Sequence, residues 1–94
     1  MFYFYGEWNY TLDEKGRIPI PPPFRSQLKE CIITLGDTGN VRLYRGRGDL
    51  PFSKVYRIKP DKEWRVKIPP QIKPQLPKMV KWVGEGEYLE LKRR

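Results

Sequence analysis

One pattern with chemical potential occurs twice: Asp13 stands four residues before Arg17, and Asp61 stands four residues before Arg65. At that spacing across a turn, a carboxylate and a guanidinium can pair while the carboxylate also accepts the turn's own amides. Asp13 and Asp61 are therefore read as structural partners within their turns, because an acidic group facing a polyanion repels it unless neutralised. Lys15, Lys59 and Lys62 flank the two turns and could meet a phosphate backbone by proximity. For any one of them, a solvated surface lysine is the simpler reading. Little else suggests reactive chemistry. Histidine is absent, Cys31 is the single cysteine, and no nucleophile and base pair stands out, so neither a catalytic residue nor an enzymatic activity is expected. Asp37, Glu85 and Glu87 have no His or Cys cluster nearby, so no metal, cofactor or small-molecule substrate is expected.

The charge balance says more than the reactive groups do. Nineteen Lys and Arg against eleven Asp and Glu give a formal charge of +8, which points to a polyanionic partner, nucleic acid ahead of an anionic membrane. The apolar opening Met1 to Tyr5 stops at Gly6 and Glu7, too short for a membrane span or a signal-peptide core. A cytoplasmic, nucleoid-associated protein with no membrane partner is the expectation. Ninety-four residues suffice for one domain and exclude a multi-domain enzyme, and three Trp, six Tyr and four Phe supply the apolar surface that disordered chains lack.

The elements that must position these turns are themselves repeated. A shift of 48 positions aligns Tyr10 to Arg45 with Ile58 to Arg93 without a gap. Identical pairs include Asp13 with Asp61, Arg17 with Arg65, Ile20-Pro21-Pro22 with Ile68-Pro69-Pro70, Gln27-Leu28 with Gln75-Leu76, and Gly36 with Gly84. Each copy reads as four short strands and one helical turn, a mainly β architecture. In the first copy the strands fall at Glu7 to Leu12, Arg17 to Ile20, Cys31 to Leu35 and Val41 to Tyr44. In the second they fall at Val55 to Lys59, Arg65 to Ile68, Met79 to Val83 and Tyr88 to Leu91. The helical turns fall at Pro22-Pro23-Phe24 to Leu28 and, in the second copy, where Pro74 and Pro77 bracket Leu76, so the helix can hardly exceed a turn or two. The repeats are bounded at about 7–46 and 55–94, with a turn-rich connector at about 46–54. Units so small can scarcely bury their apolar faces alone, so the two are expected to complete one sheet and one core as a covalent pseudo-dimer.

The run Gly6-Glu7, Thr11-Leu12-Asp13-Glu14-Lys15-Gly16-Arg17-Ile18, Ile20-Pro21, Phe24-Arg25 and Leu28 closely resembles the start of MraZ proteins, whose Asp-x-x-x-Arg element occurs once in each of two AbrB-like halves. The resemblance implies an intrachain swapped-hairpin β-barrel and a transcriptional regulator that binds double-stranded promoter DNA. Family members repress transcription, their best-known target being their own division and cell-wall operon. By the same resemblance Arg17 and Arg65 are expected on the DNA, and Arg25 and Lys73 match a second basic position that AbrB-like domains use. Typical members assemble into rings, so the resemblance allows a homo-oligomer, but they are much longer than this chain and carry longer helices after each half. The second copy is the more basic, with eleven cationic and five acidic residues over 57–94 against six and four over 10–45.

Trp64 occupies the place of Gly16 in the second turn. An indole-bearing residue disfavours positive φ, so the two turns are expected to differ in conformation. Of the three tryptophans only Trp64 is expected at the surface, with Trp8 and Trp82 in the core. Two other functions remain open at this point: an antitoxin-type or other protein-interaction module of the same fold, and a generic RNA-binding barrel.

Overall fold

A computed structural model describes residues 3–36, 38–46 and 54–94. Most of the expected connector, and Asp37, lie outside the described residues. Among the described residues there are eight strands: β1 (Glu7–Thr11), β2 (Arg17–Pro19), β3 (Cys31–Leu35), β4 (Val41–Arg45), β5 (Lys54–Ile58), β6 (Arg65–Lys67), β7 (Met79–Gly84) and β8 (Leu89–Arg93). The helical turns are 3₁₀ segments at Pro22–Gln27 and Lys73–Gln75, each with proline in its first positions and no side-chain cap. This is a mainly β fold with short helical turns, as the alternation of apolar residues and the punctuation by proline predict.

Strand exchange between the copies organises the fold. Six antiparallel strands pair in the order β1-β7-β8-β4-β3-β5, and β2 pairs with β6 in a separate two-stranded ribbon. β1 of the first copy therefore borders the second copy's β7, and β5 of the second copy borders the first copy's β3. Pseudo-twofold symmetry shows in the register, because residues 48 apart face each other at Ile18 with Val66 and at Arg42 with Glu90. At the second of these pairs Arg42 Nε donates to Glu90 Oε1 at 3.1 Å. Two identical chains would have to face each other there with identical residues, whereas a tandem chain can oppose opposite charges.

One core joins sheet and ribbon. Ile18, Ile20, Val66 and Ile68 of the ribbon region cluster with Phe24, Leu28, Cys31, Ile33, Val41, Leu43, Val80, Trp82, Leu89 and Leu91. The fully buried Trp82 indole donates to the Pro19 carbonyl at 3.0 Å, tying β7 to the ribbon.

The gapless alignment breaks at one place. β3 pairs with β4 through Cys31 and Arg45, and β7 with β8 through Val80 and Arg93, so Val80 is the counterpart of Cys31 and Trp82 that of Ile33, 49 positions apart. The second copy has one extra residue within Pro77-Lys78-Met79. It recovers the register by closing its hairpin with Glu85 N to Tyr88 O, where the first copy spans Gly36 N to Asn40 O.

Candidate nucleic-acid interface

Each Asp-x-x-x-Arg turn is built by its aspartate. Asp13 Oδ1 accepts the backbone N–H of Lys15 at 2.9 Å and of Arg17 at 2.8 Å, while Oδ2 accepts Arg17 Nε at 2.6 Å. Asp61 Oδ1 likewise accepts Glu63 N at 2.8 Å and Arg65 N at 3.0 Å, and Oδ2 accepts Arg65 Nε at 3.0 Å. The hydrogen bond from the Arg17 amide leads in holding Asp13 below the usual carboxylate range, and that from the Arg65 amide does the same for Asp61. Both aspartates stay ionised near neutrality, with their oxygens committed to the turn.

The two turns share one backbone. Gly16 has φ +76° and Trp64 has φ +60°, so the expectation that tryptophan would force a different turn is corrected. Gly16 N donates to Asp13 O and Trp64 N to Asp61 O, both at 3.0 Å. Ribbon pairing then fixes each carbonyl, with Ile68 N donating to Gly16 O and Ile20 N to Trp64 O, both at 2.8 Å. These tertiary bonds override a local preference worth about 1–2 kcal/mol for a residue with a Cβ. At Gly16 even a methyl group would meet Lys73 Cδ at 3.1 Å.

β2 and β6 place the arginines between the turns. Strand alternation puts Ile18 and Val66 inward, both fully buried, and Arg17, Pro19, Arg65 and Lys67 outward. Arg17 faces Lys67 and Pro19 faces Arg65 across the ribbon. The outer face thus carries three cations in four positions. Lys67 is a member that sequence reasoning missed; the inward alternation of Ile18, Ile20, Val66 and Ile68 was the available signal.

The remaining expected residues fall into two groups. Lys73 of the second copy reaches the first turn, its Nζ 3.4 Å from the Glu14 carbonyl, and Arg25 of the first copy donates its Nε to the Ile20 carbonyl at 3.1 Å. Ile20 N is in turn bonded to Trp64 O, so Arg25 lies one residue removed from the second turn, whereas Lys73 reaches the first turn directly. Lys15 and Lys62 are exposed on the turns themselves. Lys59 is directed elsewhere, toward Glu30 beside the start of β3 at 3.7 Å, both side chains being largely exposed.

The two arginines differ in their surroundings. Arg65 Nη2 lies 2.6 Å from Glu63 Oε2, whereas position 15 of the first turn holds a lysine. Among the described residues Arg17 has Asp13 as its ion-pair partner, bound through Nε, which leaves the outer edge of its guanidinium for a ligand.

Residues 3–44 match the family model described as "MraZ protein, putative antitoxin-like". Proteins named "Transcriptional regulator MraZ" from two strains of Dehalococcoides mccartyi are 49% and 46% identical to the chain over 41 residues, and one from Herpetosiphon aurantiacus is 48% identical over 42. In each case the match covers 44% of this chain and 29% of the relative. The match contains the first Asp-x-x-x-Arg turn, β2, the first 3₁₀ segment and nearly all of the β3–β4 hairpin. Over residues 3–44, the first copy, the chain is similar to MraZ proteins, and its match spans under a third of the length of these relatives.

Proposed function

We propose that the protein is a DNA-binding transcriptional regulator and that the β2–β6 ribbon is the surface it presents to promoter duplex. The observation that carries this reading is the outer face of the ribbon, where Arg17, Lys67 and Arg65 stand outward from strands whose other face is core. A two-stranded ribbon is one of the elements that the major groove, about 12 Å wide, admits. Arginines aimed from its face can bind phosphates or the O6 and N7 edge of guanine. The turns at both ends add Lys15 and Lys62, with Lys73 and Arg25 behind them. The names of the relatives and the charge of +8 support the same reading. Binding of the ribbon, not catalysis, is the activity, and it is exerted at the nucleoid.

Sequencing duplex fragments recovered with the protein from its own genome tests this. Enrichment of fragments from promoter regions is expected, and it should vanish in a variant lacking Arg17 and Arg65. Uniform recovery across the genome, equal for both proteins, would contradict the reading. A stoichiometric complex with a partner protein and no duplex affinity would favour the interaction module instead.

A further inference from the structure

Trp64 is the single non-glycine residue with positive φ among the described residues. Nothing in the turn requires an indole there, because the first turn makes the same hydrogen bonds with glycine in the same place. The side chain is partly exposed, and among the described residues the half-buried apolar side chains packed against the core are Trp8, Tyr10, Tyr56, Ile58 and Leu76, without Trp64. It follows Lys62 and Glu63 and precedes Arg65, whose side chain stands on the outer face of the ribbon. On its other side, Ile20 bonds the Trp64 carbonyl through its N–H and Arg25 Nε through its own carbonyl. A strained aromatic residue outside the core, set between two arginine-bearing segments, has the chemistry of a stacking platform for a nucleobase.

We infer that Trp64 is a specificity-determining residue that stacks on a base at a flexible step of the bound duplex, giving an otherwise pseudo-symmetric ribbon one aromatic end and one glycine end. The inference rests on the duplex-binding reading above. Pyrimidine–purine steps such as TpA and CpA unstack most readily, so an aromatic stacking residue at the end of the ribbon favours DNA that contains them. The Gly16 end has no aromatic side chain to stack on a base. Protein orientation on the DNA follows from that difference.

The test compares full-length wild type, Trp64→Gly, Trp64→Leu, Trp64→Phe and Arg17→Ala on two duplexes of equal length. One is rich in TpA and CpA steps and the other is built of A-tracts. Wild type should prefer the first duplex. Trp64→Gly and Trp64→Leu should lose about tenfold in affinity for it, with an unchanged dependence on salt, and should lose the preference, while Trp64→Phe retains most of both. Trp64→Gly is expected to fold, since Gly16 supports the same turn, and Trp64→Leu and Trp64→Phe carry the comparison should it not. Wild-type affinity and preference in Trp64→Gly and Trp64→Leu would overturn the inference, and weakened binding of Arg17→Ala in the same experiment would leave the ribbon in place. An equal loss on both duplexes with a shallower salt dependence would also overturn it, because the indole would then act only by placing Arg65. Absence of salt-sensitive binding by wild type to either duplex would overturn both this inference and the function on which it rests.

Discussion

At the scale of single residues, the aspartates and arginines divide the work of the turns. Asp13 and Asp61 organise backbone amides, and the arginines they hold are aimed outward. Because the folded-state carboxyls lie below their ordinary value, their contribution is fully present above the unfolded pKa near 4 and is lost as pH falls through the lower folded value. With no histidine in the chain, stability and duplex affinity should stay flat between about pH 6 and 8, and the turns should loosen only in acid. Urea unfolding across pH checks this; a transition near pH 6.5 would contradict it. The arginines should be unequal. Glu63 pairs with Arg65, while the matching position of the first turn holds Lys15, so Arg17→Ala should cost roughly 1–3 kcal/mol of duplex binding and Arg65→Ala less. Glu63→Gln should then tighten binding, as read by fluorescence anisotropy at fixed salt.

At the scale of elements, the ribbon couples the core to the charged surface. Ile18 is fully buried opposite Val66, so Ile18→Ala should destabilise the fold by about 2–5 kcal/mol, and it should disturb both turns because it sits at the centre of the pair. Chemical denaturation measures the first effect and amide exchange at Ile20 and Ile68 the second. Protection retained at both amides would argue against a ribbon that transmits core packing to the turns. Much of this element level was legible in the sequence. Alternation at Ile18-Pro19-Ile20 and Val66-Lys67-Ile68, with prolines directly after each, marks the ribbon and the helical turns locally. The core-facing side of β3 was hidden, because Cys31-Ile32-Ile33-Thr34-Leu35 is buried throughout and offers no alternation to read. A gapless alignment could therefore set Ile32 against Val80, although Cys31 is the residue that takes the place of Val80 in the pairing and the core cluster. Lys67 was missed for a related reason, since its neighbour Arg17 lies across a strand pairing that one linear sequence does not display. The conformation of Trp64 is held by the bond its N–H donates to the Asp61 carbonyl and by the one its carbonyl accepts from Ile20 N, and the second of these no local propensity contains.

At the scale of the whole molecule, exchange of strands between the copies makes each dependent on the other. β5 and β6 find their partners β3 and β2 only in the first copy, so a fragment of residues 54–94 should be unfolded or self-associated by circular dichroism and sedimentation. The full chain should unfold in one cooperative transition. Cys31 provides a probe: it is buried, its thiol is pushed up to about 12 by that burial, and its Sγ donates to the Leu28 carbonyl. Thiol labelling should therefore follow global unfolding, and rapid labelling of the native protein would indicate that the β3 region opens separately.

The measurement that bears most directly on the cationic ribbon is the salt dependence of duplex binding, compared between the wild type and the Arg17→Ala, Lys67→Ala double variant at matched stability. Counterion release predicts a steep linear fall of log affinity with log salt for the wild type, and a slope shallower by about 2 for the variant if both cations meet phosphates. An affinity that is independent of salt, or a slope that the double substitution leaves unchanged, would contradict the assignment of this face to DNA.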